Sequence, residues 1–445
     1  MKAGIAIDNN SGDLKTDGLV PSLFKDWMKI PFEQSIKNAP GIKSKLKQSE
    51  IKTEGKVPVV DQGESFIAGY TDDENNTYKA ELPLIVFGDH TRHIKYVDFP
   101  FAVGADGTKI IIPQNYFLTR FFYQYLNTLN WQHEGYGRNY KFLKQIIVPL
   151  PPLNEQKRIV AKLDAIMPRI EAVKARLDKV PGVLKRFRQS VLTAAVTGKL
   201  TGSEGYTISA FGDLIVSIRG GTTTPPRKEL SDYPVLRSSS VRQGFIDYND
   251  VFYLTKDQST RQANFIKNGD VLFTRLNGSV EFVGNCAVVK GVRDNYIQYP
   301  DRLYCAKLTA DILPEYCEIA FADPFLRLEI ENRAKSSAGH KRISISDVKE
   351  MAIPLPPLEE QKEIVRQVEK LFALADKVEA HYQKAKVRVD KLSQSVLAKA
   401  FRGELVPQDP NDLPAAELLK QILAEKDKMA AQLKKRKTKN VKQRK

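Results

Sequence analysis

Apolar residues recur every three or four positions through the middle of the chain. Ile159, Leu163, Ile166, Ile170, Val173, Leu177, Val180, Leu184, Phe187 and Val191 are spaced 4, 3, 4, 3 throughout. Ile364, Val368, Leu371, Ala375, Val378, Tyr382, Ala385, Val389, Leu392 and Val396 keep the same rhythm. A sustained 3.5-residue period holds one apolar stripe toward a partner helix, so each stretch predicts a coiled-coil helix. Val160, Met167, Val365 and Phe372 widen the stripe near each start. Prolines ahead of Asn154 and Glu359 suit the entries, and Gly198 and Gly403 suit the exits. Each helix should run about 44 residues, or ~66 Å. Pro181-Gly182 interrupts the first pattern, where a proline costs roughly 3 kcal/mol and forces a kink. Pro168 weakens the same helix earlier. The second stretch has no such break, so the two helices should differ in straightness.

The two helices are copies. VPLPPLNEQKRIV (Val148 to Val160) returns as IPLPPLEEQKEIV (Ile353 to Val365), 205 residues later, and the match runs without a gap to Gly198 and Gly403. About 20 of the 54 positions from 148 to 201 are identical, which marks a duplication. A lone Pro-rich pentad could be a polyproline ligand; its return at the same junction argues for a structural hinge. The segments ahead of the helices are similar in length but hard to align. Both carry short β-like runs, Leu82 to Phe87 and Lys109 to Pro113 in one, Asp270 to Thr274 and Cys286 to Val289 in the other. Thr119 to Leu129 reads as helical. The fold class is therefore α/β (α+β), with two globular domains carried on two long helices. Five segments follow: a globular domain over 1–147, a central helix over 148–202, a second globular domain over 203–352, a distal helix over 353–407, and a C-terminal helix and basic tail over 408–445. The connecting parts kept their sequence while the globular parts diverged, as expected of one scaffold carrying two different recognition surfaces.

Composition narrows the class. The chain is 42% hydrophobic and 27% charged. It has no apolar run near eighteen residues and no apolar N-terminal segment, which points to a cytoplasmic protein without a membrane partner. Three cysteines lacking a Cys-x-x-Cys pair fit that compartment, and five scattered histidines suggest no metal cluster. The net charge of +16 invites a nucleic-acid reading, but it is unevenly placed. Residues 1–147 hold 18 basic and 17 acidic groups, and residues 203–352 hold 19 of each. The excess lies in 148–202, with 11 against 4, and in 434–445, with eight Lys/Arg and no acid. Such a terminal run is first of all a solvated tail, with nonspecific phosphate attraction as its functional reading. Total charge alone does not make the globular parts DNA binders.

Longer motifs carry a resemblance. The twice-used PLPPLxEQ, the closing AFRGELVPQDPNDLPAAELL (Ala400 to Leu419) and FGDHTRHIKYVDFPFAVGADGTKI (Phe87 to Ile110) are similar to specificity subunits of type I restriction-modification systems. GGTTTP (Gly220 to Pro225) and NGDVLFTRLNGS (Asn268 to Ser279) resemble a second recognition-domain type of that family. The resemblance implies two target recognition domains, each reading one half of a split sequence in double-stranded DNA. It implies helices that fix the gap and bind two modification subunits, with restriction subunits joining that core. For both domains to face one duplex, the helices should run antiparallel, making a pseudo-two-fold repeat. Dimeric DNA binders space half-sites by about one helical turn, ~34–36 Å, which ~66 Å helices can span. The competing reading is a coiled-coil adaptor that joins proteins without reading DNA.

Catalytic motifs are missing from the chain. Phe101 to Gly107 loosely resembles a glycine-rich S-adenosylmethionine loop but reads better as a turn between strands, and no Asn-Pro-Pro-Phe or Asp-Pro-Pro-Tyr run is present to hold a flipped base. No Gly-x-x-x-x-Gly-Lys-Ser/Thr loop occurs. The subunit is thus expected to be no enzyme and to hold no cofactor or metal, with S-adenosylmethionine, ATP and Mg on the partner subunits. Base readout needs Arg, Lys, Asn, Gln or hydroxyl side chains reaching groove edges, with other basic groups on phosphates. In the first domain the candidates are Lys43, Lys45, Lys47, His90, Arg92, Tyr136, Arg138 and Lys141. In the second they are Arg219, Thr222, Arg237, Ser238, Arg242, Arg275, Asn277, Ser337, His340, Lys341 and Arg342. Each group has the Gly/Ser/Asn loop context in which functional residues concentrate.

Overall fold

The computed structural model describes residues 27–42, 45–104, 107–129, 138–203, 205–258, 264–293, 296–337 and 340–424, the side chains of 335–337 excepted. The chain divides into two compact units, residues 1–175 with 386–445, and residues 176–385.

In the first unit, β1 (Met28–Pro31) pairs antiparallel with β9 (Ile147–Leu150), so the chain leaves the domain beside its entry. The opening of the Pro-rich junction is thus itself a strand. Between them lie α1 (Phe32–Ser35) and two sheets. One has the order β2 (Ile36–Lys37), β8 (Thr108–Pro113), β5 (Leu84–Gly88), β6 (Ile94–Val97); the other has β4 (Gly69–Thr71), β3 (Val57–Val60), β7 (Ala102–Val103). The unbroken apolar run of β5 is explained by burial on both faces. Ile85 and Phe87 enter a core with Phe32, Phe121 and Phe122, while Leu84 and Val86 enter a second with Phe101 and Val103. Helices α2 (Thr119–Leu126) and α3 (Tyr140–Leu143) precede α4 (Leu153–Leu177). Ile159, Leu163 and Ile170 of α4 share the first core with Val396, Ala400 and Phe401. Lys174 meets Asp390 at 3.5 Å, and Arg158, earlier in α4, meets Asp412, in the loop after Phe401, at 2.7 Å, so the later chain runs antiparallel to α4. Residues 415–424 are helical, and Ala415 and Leu419 return to the same core.

The second unit repeats this plan. After α5 (Val180–Val196), β10 (Thr207–Ala210) pairs antiparallel with β22 (Ala352–Leu355). The main sheet has the order β11 (Ile215–Gly220), β19 (Leu303–Leu308), β16 (Val271–Thr274), β18 (Cys286–Val288). Small ribbons join β12 (Pro234–Leu236) to β15 (Val251–Tyr253) and β13 (Val241–Arg242) to β14 (Phe245–Ile246). A third ribbon has the order β17 (Leu276–Asn277), β21 (His340–Arg342), β20 (Lys335–Ser337). Helices α6 (Pro314–Ala322), α7 (Pro324–Arg333) and α8 (Ile345–Lys349) precede α9 (Leu358–Phe401). Arg188 of α5 reaches Asp376 and Glu379 at 2.8 and 2.9 Å, while Val191 and Ala195 share a core with the earlier Val368 and Ile364. This pair too is antiparallel.

The expected single 44-residue helix holds only for the second copy, α9. The first copy is two helices, separated at Asp178-Lys179. Pro181 stands in the first turn of α5, where its missing N–H would have had no partner in any case. Pro168 lies inside α4. Chain exits at Gly198 and Gly403 have φ of 81° and 80°, a left-handed conformation that favours glycine. The seam is half closed. One heptad row is buried at Leu163, Ile170, Leu184 and Val191, and again at Val368, Ala375, Tyr382 and Val396. In the other row Ile159 and Ile364 are buried, but the equivalent Val173 and Val378 are 41% and 42% exposed.

The Glu-Gln of PLPPLxEQ locks each globular domain to its helix. Gln156 accepts the N–H of Leu118, the residue capping α2, at 2.8 Å, and donates to the carbonyls of Tyr116 and Pro151. Gln361 accepts the N–H of Leu313, the residue capping α6, at 2.8 Å, and donates to the carbonyls of Asp311 and Pro356. Glu155 accepts from Trp27 Nε1 at 2.9 Å, directly ahead of β1. Glu360 accepts from Thr201, Ser203 and Tyr206, the last directly ahead of β10.

Candidate nucleic-acid interface

In the first domain, the turn joining β5 to β6 carries His90 and Arg92. Arg92 holds a φ of 65°, outside glycine's usual monopoly of that region, and its N–H closes the turn on Gly88. Asp89 organises the surroundings. Its N–H donates to Gly107, its carbonyl accepts from the backbone and side chain of Asn139, and its carboxylate accepts the Tyr140 N–H at 2.7 Å. Arg138 and Lys141, both exposed, are thereby brought beside the His90–Arg92 turn. Lys45 Nζ donates to the Thr108 carbonyl at 3.3 Å, on the residue following Gly107. Leu46, between Lys45 and Lys47, bridges to Gly104. Residues chosen from stretches 45–47, 90–92 and 138–141 therefore converge on one end of β5 and β8. Lys43 and Tyr136 lie outside the described residues.

In the second domain the organiser is Gln298 to Arg302. Thr222 exchanges backbone hydrogen bonds with Tyr299 and Asp301. This approach requires Gly221, whose added Cβ would stand 1.9 Å from the Tyr299 carbonyl oxygen. Arg275 donates its N–H to Arg302 and its guanidinium to the Asp301 carbonyl at 3.1 Å. The next residues form β17, in which Leu276 pairs with Arg342 and Asn277 with Lys341, while β20 pairs Ser337 with His340. Five candidates from two distant stretches, Asn277 and Ser337 to Arg342, thus share one ribbon, with Arg275 directly ahead of it. Arg237 and Ser238 follow β12, which is bound to Gln298 from the other side. Arg237 is paired with Asp250 at 2.7 Å. Burial pushes the Asp250 carboxyl up, but Ser239 and Arg237 hold it below its ordinary value. Arg219 lies on β11, opposite Cys305 and apart from the ribbon. Arg242, Arg275 and Arg237 lie over Phe282, Tyr304 and Phe252 at 4.8, 5.6 and 4.6 Å. An aromatic face beneath a planar guanidinium orders it.

Comparison with known proteins then bears on what these surfaces serve. A family model described as "Type I restriction modification DNA specificity domain" matches residues 35–181 and 203–387, one match to each half of the duplication. The chain belongs to this family of specificity subunits. It is 43% identical over 297 residues to the EcoKI specificity subunit of Escherichia coli K12, covering 63% of this chain and 64% of that one. It is 28% identical over 457 residues to the Escherichia coli EcoBI specificity subunit, covering 91% and 93%. Similarity to the HsdS subunit of Thermoanaerobacter tengcongensis covers 86% of this chain and 98% of that one, at 17% identity and a TM-score of 0.52, and extends to the fold. A structure titled for complex assembly of the type I R-M system is similar at a TM-score of 0.61 and 17% identity, covering 87% and 100%. These findings favour specificity subunits over an adaptor that reads no DNA.

Residue reading of this specificity subunit missed Asp89 and the 298–302 segment. The 298–302 segment acts through backbone groups, as Asp89 does in part, and the Asp89 carboxylate meets a backbone N–H 51 residues away, so side-chain chemistry gave no cue, although Pro300-Asp301 is a turn signal. Among the described residues, no helix is long and apolar enough to cross a membrane and no group of His, Cys, Asp or Glu could hold a metal.

Proposed function

We propose that this subunit reads DNA for a type I restriction-modification complex in the cytoplasm, each globular domain recognising one half of an asymmetric, interrupted target. The helices set the gap and dock two modification subunits, to which restriction subunits add. Methyl transfer from S-adenosylmethionine, ATP-driven translocation and cleavage belong to those partners. The observation that carries the reading is convergence. Basic, hydroxyl and amide residues from separate stretches meet at the loop end of β5 and β8 in the first unit and on the β17–β21–β20 ribbon in the second, while equivalent Gln156 and Gln361 hold both domains to a repeated scaffold.

Charge reversal at Arg275 or Arg342 tests it in the assembled complex. Loss of a bidentate base contact weakens specific binding by ~1–3 kcal/mol and relaxes one position, whereas loss of a phosphate contact acts almost uniformly across sequences. Unchanged affinity and salt dependence in both folded variants would remove the β17–β21 surface from the proposal.

A further inference from the structure

Lys95 lies on β6 with 4% of its surface exposed, and the proposed function gives it no role. Its Nζ donates to the Ser65 carbonyl at 2.6 Å and stands 3.6 Å from Asp61 Oδ1. Asp61 also accepts the Gly63 N–H at 2.8 Å. One buried cation therefore gathers both ends of the loop that follows β3. Burial lowers the ammonium's pKa, against the attraction of Asp61. Such a pair is weak evidence for stability, and its best-attested use is to fix a conformation. Here the loop is seated on the recognition turn. Gln62 accepts the His90 N–H through its side chain at 3.2 Å and the Thr91 hydroxyl through its carbonyl. Beyond Gln62, Glu64 and Ser65 are exposed, and Phe66 is 48% exposed with its ring edge-on to Phe99. Glu64 disfavours a phosphate as the loop's partner. An exposed ring suits base edges, through a thymine methyl or the step between two bases.

We propose that loop 61–66 is a further base-reading segment of the first domain, with Phe66 making the apolar contact and Lys95 acting as its positioning residue. This rests on reading the His90–Arg138 surface as a DNA reader. The test maps methylated sites in a random DNA library with the subunit assembled on its modification partners. Three variants are compared: Phe66→Ala, the pair Lys95→Met with Asp61→Asn, and the pair Arg138→Ala with Lys141→Ala. The double change at 95 and 61 leaves no charge buried alone; should it fail to fold, Phe66→Ala decides. The expected result is about tenfold or greater loss of discrimination at one or more base pairs of the first half-site, with the second half-site unchanged. Folded loop variants that leave both half-sites intact, or blur both equally, overturn the inference. If the Arg138/Lys141 variant shifts the first half-site in the same experiment, only the loop assignment falls. If it too has no effect, the surface reading falls with it.

Discussion

Gln156 and Gln361 each satisfy one helix-capping N–H and two carbonyls while fully buried. Replacing either with Ala strands those groups, at ~1–3 kcal/mol for each one left unsatisfied. We expect Gln156→Ala to destabilise the first unit by about 2–4 kcal/mol. Both tryptophans, Trp27 and Trp131, precede residue 148, so their fluorescence in a urea titration should report Gln156→Ala and pass over Gln361→Ala. Glu360 gives a pH dependence of known sign. The Ser203 hydroxyl, then Thr201 and Tyr206, hold its carboxyl below the usual carboxylate value. Its contribution is present above the unfolded pKa and is lost as pH falls through the lowered folded one. Glu360→Gln should therefore flatten the acid limb of stability against pH; an unchanged limb would refute this. The Glu-Gln pair was visible as a repeated motif, but its work was not. Apart from the carbonyls of Pro151 and Pro356, its partners lie 38 to 159 residues away, and only the fold brings them near.

At the scale of elements, period and composition carried most of the reading. The 4, 3 spacing located α9 and the two seams, and the apolar runs located β5, β8 and β16. The break at Asp178-Lys179 was displaced by three residues from the proline that announces it, because a proline tolerated in a first turn starts a helix rather than ending one. Periodicity also could not tell which positions of the seam would be left open. Val173 and Val378 occupy the same repeat position and are equally exposed, one in each unit. Two equivalent exposed positions match the proposal of two modification subunits. Val173→Glu and Val378→Glu should each remove one modification subunit without unfolding the chain, read as complex mass in solution. Retention of both subunits in either variant would place docking elsewhere.

For the whole molecule, the helical connection should act as a ruler. Adding one heptad at the Asp178-Lys179 break and one in α9 after Ala385 keeps both registers and lengthens the connection by ~10 Å. At ~3.4 Å per base pair, the unspecified gap should grow by about three, with both half-site sequences unchanged. Methylation mapping would show it, and a constant gap with full activity would end the ruler idea. Exchanging residues 1–147 for a relative's domain should alter one half-site only. The latch at Gln156 and Gln361 extends this point from mechanism to inheritance. Each domain enters by a strand paired to the junction, exits through that same junction, and presents a helix cap to an identical glutamine. A foreign domain need satisfy only that small joint, so recombination within the repeat can pair any first reader with any second. A pool of such halves yields specificities as the product of their numbers, while the partner-binding frame is inherited whole.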